Sequence, residues 1–448
     1  MSGRGRRGPL DLAALAFILY LLVRWVFAIG VRGAYGSTPM DEIFAALMIV
    51  PAAVGLFRYG RPIAIIPVAF LIYAMAGLLS VLLNDPGGVS QPMGALWDIA
   101  LDTKPLIFLF AFLYLFMRSG RGEDSIAHAT NALIVVALIN SLFVWRDIVL
   151  GGGYGLTGIR LVARLGFYQP QGLMLHHLES CYVTMFGALA AMYRVKRYWT
   201  MPGLALVAYL ALVFFLHLSA KEMFAFILCA ILFIIGRKNK PPVWVLLLPV
   251  ALLIAGGVVA FTPVGDVFAA QFQNYVIDNT DKQARTVLTS SSFEIADRYF
   301  PLGSGAGTFA SPPSFQMGYS HLYYEFGINR VWGGSPENPN YLTDVFWPKL
   351  LAQAGYLGFA AFLVMLLAIL FPLLRQYLRW RDAASWFCLS VNLSMLVMSI
   401  ASTPYTQEFL TPLWAFASAY GLMLWYGQKG AFHRQGNSRG PLDRGRTA

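Results

Sequence analysis

Apolar residues recur along this chain in runs long enough to cross a bilayer as helices. The windows lie near residues 10–31, 41–57, 63–84, 105–118, 127–149, 173–192, 202–219, 222–236, 243–262, 350–373, 384–402 and 408–427. The pattern therefore predicts an all-α polytopic membrane protein of about twelve transmembrane helices. Basic residues punctuate alternate connections: Arg4, Arg6 and Arg7, then Arg58 and Arg61, Arg118 and Arg121, "RVKR" at 194–197, "RKNK" at 237–240, "RQYLRWR" at 375–381, and Lys429 through Arg446. All of these fall on one side. The excess of Lys and Arg on cytoplasmic loops then puts both termini in the cytoplasm, with an even number of spans. No small-residue cleavage pattern follows "MSGRGRRGPLDLAALAFILY", so this stretch reads as the first span rather than a signal peptide.

Most connections on the other side are short, with two exceptions. Residues 150–172 form a Gly-rich loop, and residues 263–349 form a large outer insertion between spans nine and ten. Loops of that length inside a compact bundle are usually functional. Within the insertion, "VLTSSSFEIADRYF" at 287–300 has a helical pattern, and "PLGSGAGTF" then breaks the chain. The expected organisation is transmembrane helices over 1–262 with the loop 150–172, a partly helical outer cap over 263–349, helices ten to twelve over 350–427, and a basic tail at 428–448.

Composition agrees with the pattern. Hydrophobic residues make up 58% of the 448 positions and charged residues only 12%, more apolar surface than a soluble core could absorb. The formal charge of +11 is distributed between apolar runs, where it orients the chain in the membrane, and no nucleic-acid partner is implied. Cys181, Cys229 and Cys388 all fall inside apolar segments, which points to small buried hydrophobes rather than disulfides or metal ligands.

Against this background some charges stand out. The run "LVFFLHLSAKEMFAFILCAILFII" at 212–235 carries Ser219, Lys221 and Glu222 in its middle, which the topology turns into a tight outer hairpin between spans seven and eight. Lys221 there could simply snorkel to headgroups. Arg160 and Arg164 in "IRLVARLG", Lys282 and Arg285 in "DKQARTVL", and Arg298 lie on the same outer side, against the orienting bias. If 160–164 is helical, Arg160 and Arg164 project from one face. Cations on the wrong side of the rule point to an anionic ligand there.

The order of these features resembles the O-antigen ligase and polymerase superfamily of membrane glycosyltransferases. The resemblance rests on "RLVARLGFYQPQGL", "HLSAKEMFAF", "ARTVLTSSSFEIADRYFPLGSGAGTF" and "PNYLTDVFWPKLLAQAGYLGF", and covers roughly residues 150 to 375. It implies transfer of a sugar chain from an undecaprenyl-diphosphate-linked oligosaccharide donor to a hydroxyl of an acceptor glycan, on the periplasmic side of a bacterial inner membrane. Lipid A ligases of this type carry a His-Asn pair where this chain reads "ENPNYL" at 337–342. A polymerase of exopolysaccharide or O-antigen repeat units is therefore the preferred member, with a ligase as the alternative. A chain-length regulator or export machinery is an implied partner.

The leaving group of such a reaction is the lipid diphosphate, whose charge Arg forks and a Lys point charge can stabilise, so neither a metal nor another cofactor is called for. Arg160, Arg164, Lys221 and Arg285 are the candidate clamp. A general base must relieve the acceptor hydroxyl of its proton. Glu325, Glu337, Asp344 and His321 are candidates, with Glu337 and His321 leading because they sit in the outer cap near the position of the absent His-Asn pair, where His321 could occupy a comparable place.

Other polar residues admit plainer readings. His176, His177 and Glu179 in "LMLHHLESCY" are expected to hydrogen-bond between helices or line the acceptor path rather than hold a metal. "GSGAGTF" reads as a turn needing positive φ, not a dinucleotide fingerprint. Asp98, Asp102 and Lys104 are expected to anchor the outer end of span four at the surface, and Asp41 with Glu42 to mark a helix start. A transporter and a metal-dependent glycosyltransferase remain as readings from other classes. The large asymmetric cap weighs against the first, and the shortness of the first outer loop against the second.

Overall fold

The computed structural model describes residues 11–30, 40–84, 92–119, 122–153, 155, 161, 163–164, 167–174, 176–236 and 284–428. In chain order its helices are α1 (Leu12–Gly30), α2 (Met40–Tyr59), α3 (Ile65–Asn84), α4 (Pro92–Ser119), α5 (Gly122–Val149), α6 (His177–Tyr198), α7 (Met201–Phe215), α8 (Ala220–Ile235), α9 (Ala284–Arg298), α10 (Pro313–Gln316), α11 (His321–Glu325), α12 (Trp347–Trp380), α13 (Ala383–Met398) and α14 (Leu410–Gln428). Each predicted span coincides with one of them except the ninth, 243–262, which lies outside the described residues. The protein is a polytopic membrane protein, nearly all-helical among the described residues. Five of these helices, α2, α3, α4, α5 and α12, are long and apolar enough to cross a bilayer, and α1, α7 and α13 are shorter apolar helices.

The bundle carries apolar side chains on both its faces. Inside, Phe17, Phe112, Phe116 and Phe416 interlock with ring centroids 4.8 to 6.4 Å apart, joining α1, α4 and α14. Outside, Leu47, Val50, Phe57, Leu82 and Leu83 are exposed on α2 and α3, a pattern stable only where the surroundings are hydrocarbon. Cys181, Cys229 and Cys388 are free thiols buried among the helices, as their sequence context predicted.

Local chemistry sets several helix ends. Thr200 accepts a hydrogen bond from the Gly203 N–H and starts α7, and Asp382 accepts one from the Ser385 N–H at 2.8 Å and starts α13. Between α7 and α8 the chain turns through Leu216–Ser219, with Leu218 at φ 50°, so Lys221 does sit at a hairpin and not at mid-span.

The cap has its own core. Leu288 and Ile295 on one stripe of α9 pack with Phe309, Tyr323, Ile328, Leu342 and Val345. The glycine-rich turn staples this cap to the bundle. Gly303, Gly305 and Gly307 all have positive φ, as the turn reading required. Ser304 and Gly305 donate to the carbonyls of Ala352 and Gln353, and Ala306 donates to that of Gly77 on α3. The acceptors are available because α12 is interrupted at Gly355, whose φ of 61° and ψ of −168° break the helical ladder. A Cβ on Gly303 would stand 2.4 Å from the Ala352 carbonyl oxygen, so only glycine fits.

One expectation is overturned. Asp98, Asp102 and Lys104 do not anchor a surface; all three are buried. Helix α4 begins at Pro92, well before the apolar window at 105, because ion pairs replace water around its polar first half. Lys349 at the start of α12 lies 3.0 Å from Asp98 and 2.8 Å from Asp102. Tyr73 donates to Asp102 at 2.5 Å, and the Gly307 N–H donates to Asp98 at 3.1 Å. Lys104 pairs with Asp41 and, at 2.8 Å, with Glu42. The two acids at the start of α2 thus do more than mark a helix end.

Candidate active site

Two cations that defied the sidedness rule come together where the cap meets the bundle. Lys221 stands in the first turn of α8, where the helix dipole favours an anion over a cation and a negative partner is needed. Arg285, the second described residue of α9, pairs with Asp344, 2.7 Å away across the cap. Lys221 donates to the Ala401 carbonyl at 3.1 Å and lies 3.7 Å from the buried carboxylate of Glu222, which also accepts from the Ser219 hydroxyl.

These groups form one electrostatic unit. The ammonium of Lys221 is within reach of the charges of Glu222, Arg285 and Asp344, and His176 feels Asp344 and Lys221. His176 is the N-cap of α6, where its ring nitrogen accepts the Leu178 N–H at 3.2 Å. Lys221, Arg285, Asp344, Glu222 and His176 are thus electrostatically coupled across α6, α8 and the cap. The partial positive charge at the start of α8 adds to that of Lys221. Arg285 and Asp344 are each about one-third exposed, so the pair can open to a ligand.

The loop before α6 leads into this region and is held from below. Asp147 on α5 accepts from the N–H groups of Gln171 and Gly172 at 3.0 and 2.7 Å, and Asn140 accepts from Leu173 at 3.0 Å. Gln169 donates to the His217 carbonyl at 2.7 Å. Ala163–Arg164 pairs as a short antiparallel strand, β1, with Phe167–Tyr168, β2. The premise of a helix over 160–164 therefore fails at Arg164, because backbone pairing with Phe167 extends the chain there. Arg160 and Lys282 lie outside the described residues, and the description of Arg164 ends at its backbone.

The remaining sequence candidates are spread over the cap. Glu325 is taken by an ion pair with Arg298. Glu337 lies near Tyr319, and His321 opens α11 two residues beyond Tyr319. Among the described residues, no hydrogen bond or ion pair joins either to Lys221 or Arg285. Glu179 is committed to Arg24 on α1, which also reaches Glu408 at 3.3 Å. That is the helix-to-helix bonding expected of it.

The geometry covers the stretch in which a known family is found. Residues 204–363, from α7 through the cap into α12, match the protein family described as O-antigen ligase. That match supports a place in the O-antigen ligase and polymerase superfamily. No curated protein matches the chain. Lys221, Arg285, Asp344, Glu337 and His321 all fall inside the matched segment, whereas Arg160, Arg164 and His176 precede it. The family supports an enzyme of the ligase and polymerase type seated in a membrane.

Sequence reasoning missed two supports of this site. Asp98 and Asp102 stand four residues apart, a spacing that places both on one helix face, and that could have signalled a shared cation. Lys349, directly ahead of an apolar run in "FWPKLLAQAG", was the matching signal. For Asp147, whose carboxylate organises the 169–173 turn, no pattern in the sequence marks the role.

Proposed function

We propose that the protein polymerises lipid-diphosphate-linked oligosaccharide repeat units on the outer face of a bacterial inner membrane. The observation that supports this reading is the electrostatic coupling of Lys221 to Arg285, Glu222 and Asp344, with Arg285 paired to Asp344 at 2.7 Å and His176 within reach of Lys221 and Asp344. In the reaction the bond between the donor sugar's anomeric carbon and the diphosphate oxygen breaks, and the acceptor oxygen bonds to that carbon. Negative charge grows on the departing diphosphate. Arg285 offers it a planar fork and Lys221 a point charge, preorganised in a partly desolvated seam where such contacts act strongly. Arg164 and Arg160, on the loop that leads into α6, extend the clamp.

The acceptor hydroxyl must give up its proton. Asp344 is better placed for this than Glu337 or His321, because it already touches the clamp. When a diphosphate engages Arg285, the carboxylate of Asp344 loses its partner and becomes free to take the proton. Polymerase is favoured over ligase because "ENPNYL" lacks the histidine of the lipid A ligases. The test is deletion of the gene followed by analysis of lipid-linked intermediates. Accumulation of single repeat units supports polymerisation. Full-length polymer left on the lipid carrier assigns a ligase, and normal polymer at the wild-type site refutes both.

A further inference from the structure

Beside the seam, the cap carries an aromatic surface that the transfer reaction leaves unused. Trp332 is 71% exposed and Tyr324 51% exposed, although both belong to the cap and neither lies in a described helix long enough to cross a bilayer. Trp332 packs on Tyr341 with ring centroids 5.1 Å apart, and Tyr319 meets Tyr324 at 5.1 Å. The two pairs are tied together, since the Tyr319 hydroxyl donates to the Gly334 carbonyl. The turn between them is rigid. Gly333 has φ 79°, and a Cβ there would stand 2.0 Å from the Tyr341 ring.

The setting is polar rather than greasy. Glu337, Asn340 and His321 are exposed nearby, and Asn340 donates to Asn338 at 2.5 Å. A flat exposed ring with amides and a carboxylate at its edge matches the two faces of a pyranose. The ring's C–H face stacks on the electron-rich π surface, and its hydroxyls bond to the edge groups. Arg330, two residues before Trp332, adds an exposed cation to this setting. Tyr341 and Asp344 stand on one turn, in which the Asp344 N–H donates to the Tyr341 carbonyl at 3.3 Å, so the aromatic pair adjoins Asp344 along the chain.

From this juxtaposition we infer that Trp332, Tyr341, Tyr324 and Glu337 form a sugar-binding platform that holds the acceptor glycan chain and presents its end to Asp344. Naming the acceptor subsite rests on the proposed function. Glu337 and His321 thereby serve in binding rather than as the base.

The experiment uses the full chain in nanodiscs and, as probe, size-fractionated glycan released by mild acid from the host's own surface polysaccharide. Binding is read by saturation-transfer NMR, and transfer is read separately from lipid-linked donor. Trp332→Ala should weaken glycan binding by about tenfold and raise the acceptor KM with little change in kcat, while Trp332→Tyr restores most of both. Arg285→Ala should bind glycan normally and transfer roughly a hundredfold more slowly. Glycan binding by Trp332→Ala equal to wild type, with transfer intact, overturns the platform and leaves the proposed function standing. Loss of binding in Trp332→Ala from a wild type that transfers nothing supports the platform and refutes the function. Quenching of Trp332 fluorescence by brominated lipid, taken as the difference between wild type and Trp332→Ala, assigns the residue to the bilayer surface and overturns the inference.

Discussion

Replacing Arg285 by alanine separates a structural cation from a chemical one, because the two roles differ in magnitude. Its guanidinium is about one-third exposed and its recorded partner is Asp344 at 2.7 Å. An exposed ion pair of this kind contributes about 0–1 kcal/mol to stability. The loss is small, and the variant should insert and fold at close to wild-type levels. The transition state responds differently. If Arg285 stabilises the departing diphosphate, its loss removes about 3 kcal/mol, or roughly a hundredfold in rate. Arg285→Lys should recover only part, since an ammonium keeps the charge and loses the fork. Asp344→Asn offers the converse test: the clamp remains, the base is lost, and transfer should fall with donor binding preserved. The assay is accumulation of single lipid-linked repeat units in cells with matched membrane levels of each variant. Long polymer at wild-type yield from Arg285→Ala would refute the reasoning outright.

Three further expectations concern the scaffold. Lys349→Met leaves Asp98 and Asp102 buried without their cation and should cost about 3–5 kcal/mol, seen as a lowered melting temperature in detergent; adding Asp98→Asn and Asp102→Asn should recover much of it, and wild-type melting by the single variant would show that the ion pairs are idle. Gly303→Ala forces a Cβ to 2.4 Å from the Ala352 carbonyl at a φ of 76°, so the cap should detach from α12 and become protease-sensitive while the bundle stays inserted. Asp147→Ala removes the acceptor of two buried N–H groups at 2.7 and 3.0 Å, which should expose the 168–174 turn to proteolysis at a stability cost of roughly 2 kcal/mol; an unchanged digestion pattern counts against its role in holding the loop.

The sequence by itself determined the solvent, the helices and the turns. Runs such as 63–84 and 384–402 could bury their backbone in hydrocarbon only as helices, and α3 and α13 follow them to within a few residues. Gly303, Gly305 and Gly307 announced their positive φ because alternate glycines between a helix and an apolar run leave the chain no cheaper way to turn. Sidedness singled out Lys221 and Arg285 as cations out of place. Tertiary structure decided which charges meet. Hydropathy is counted along one dimension, so Asp98, Asp102 and Lys104 looked like the wet end of a span, yet pairing with Lys349, Asp41 and Glu42 lets α4 run buried from Pro92. The choice of Asp344 over Glu337 and His321 was equally out of reach of the sequence. All three lie within a stretch of 24 residues, and only the fold of the cap brings Asp344 against Arg285 while Glu337 comes near Tyr319. Ion pairing depends on distances of a few ångströms between elements far apart in the chain, and no local pattern encodes that distance.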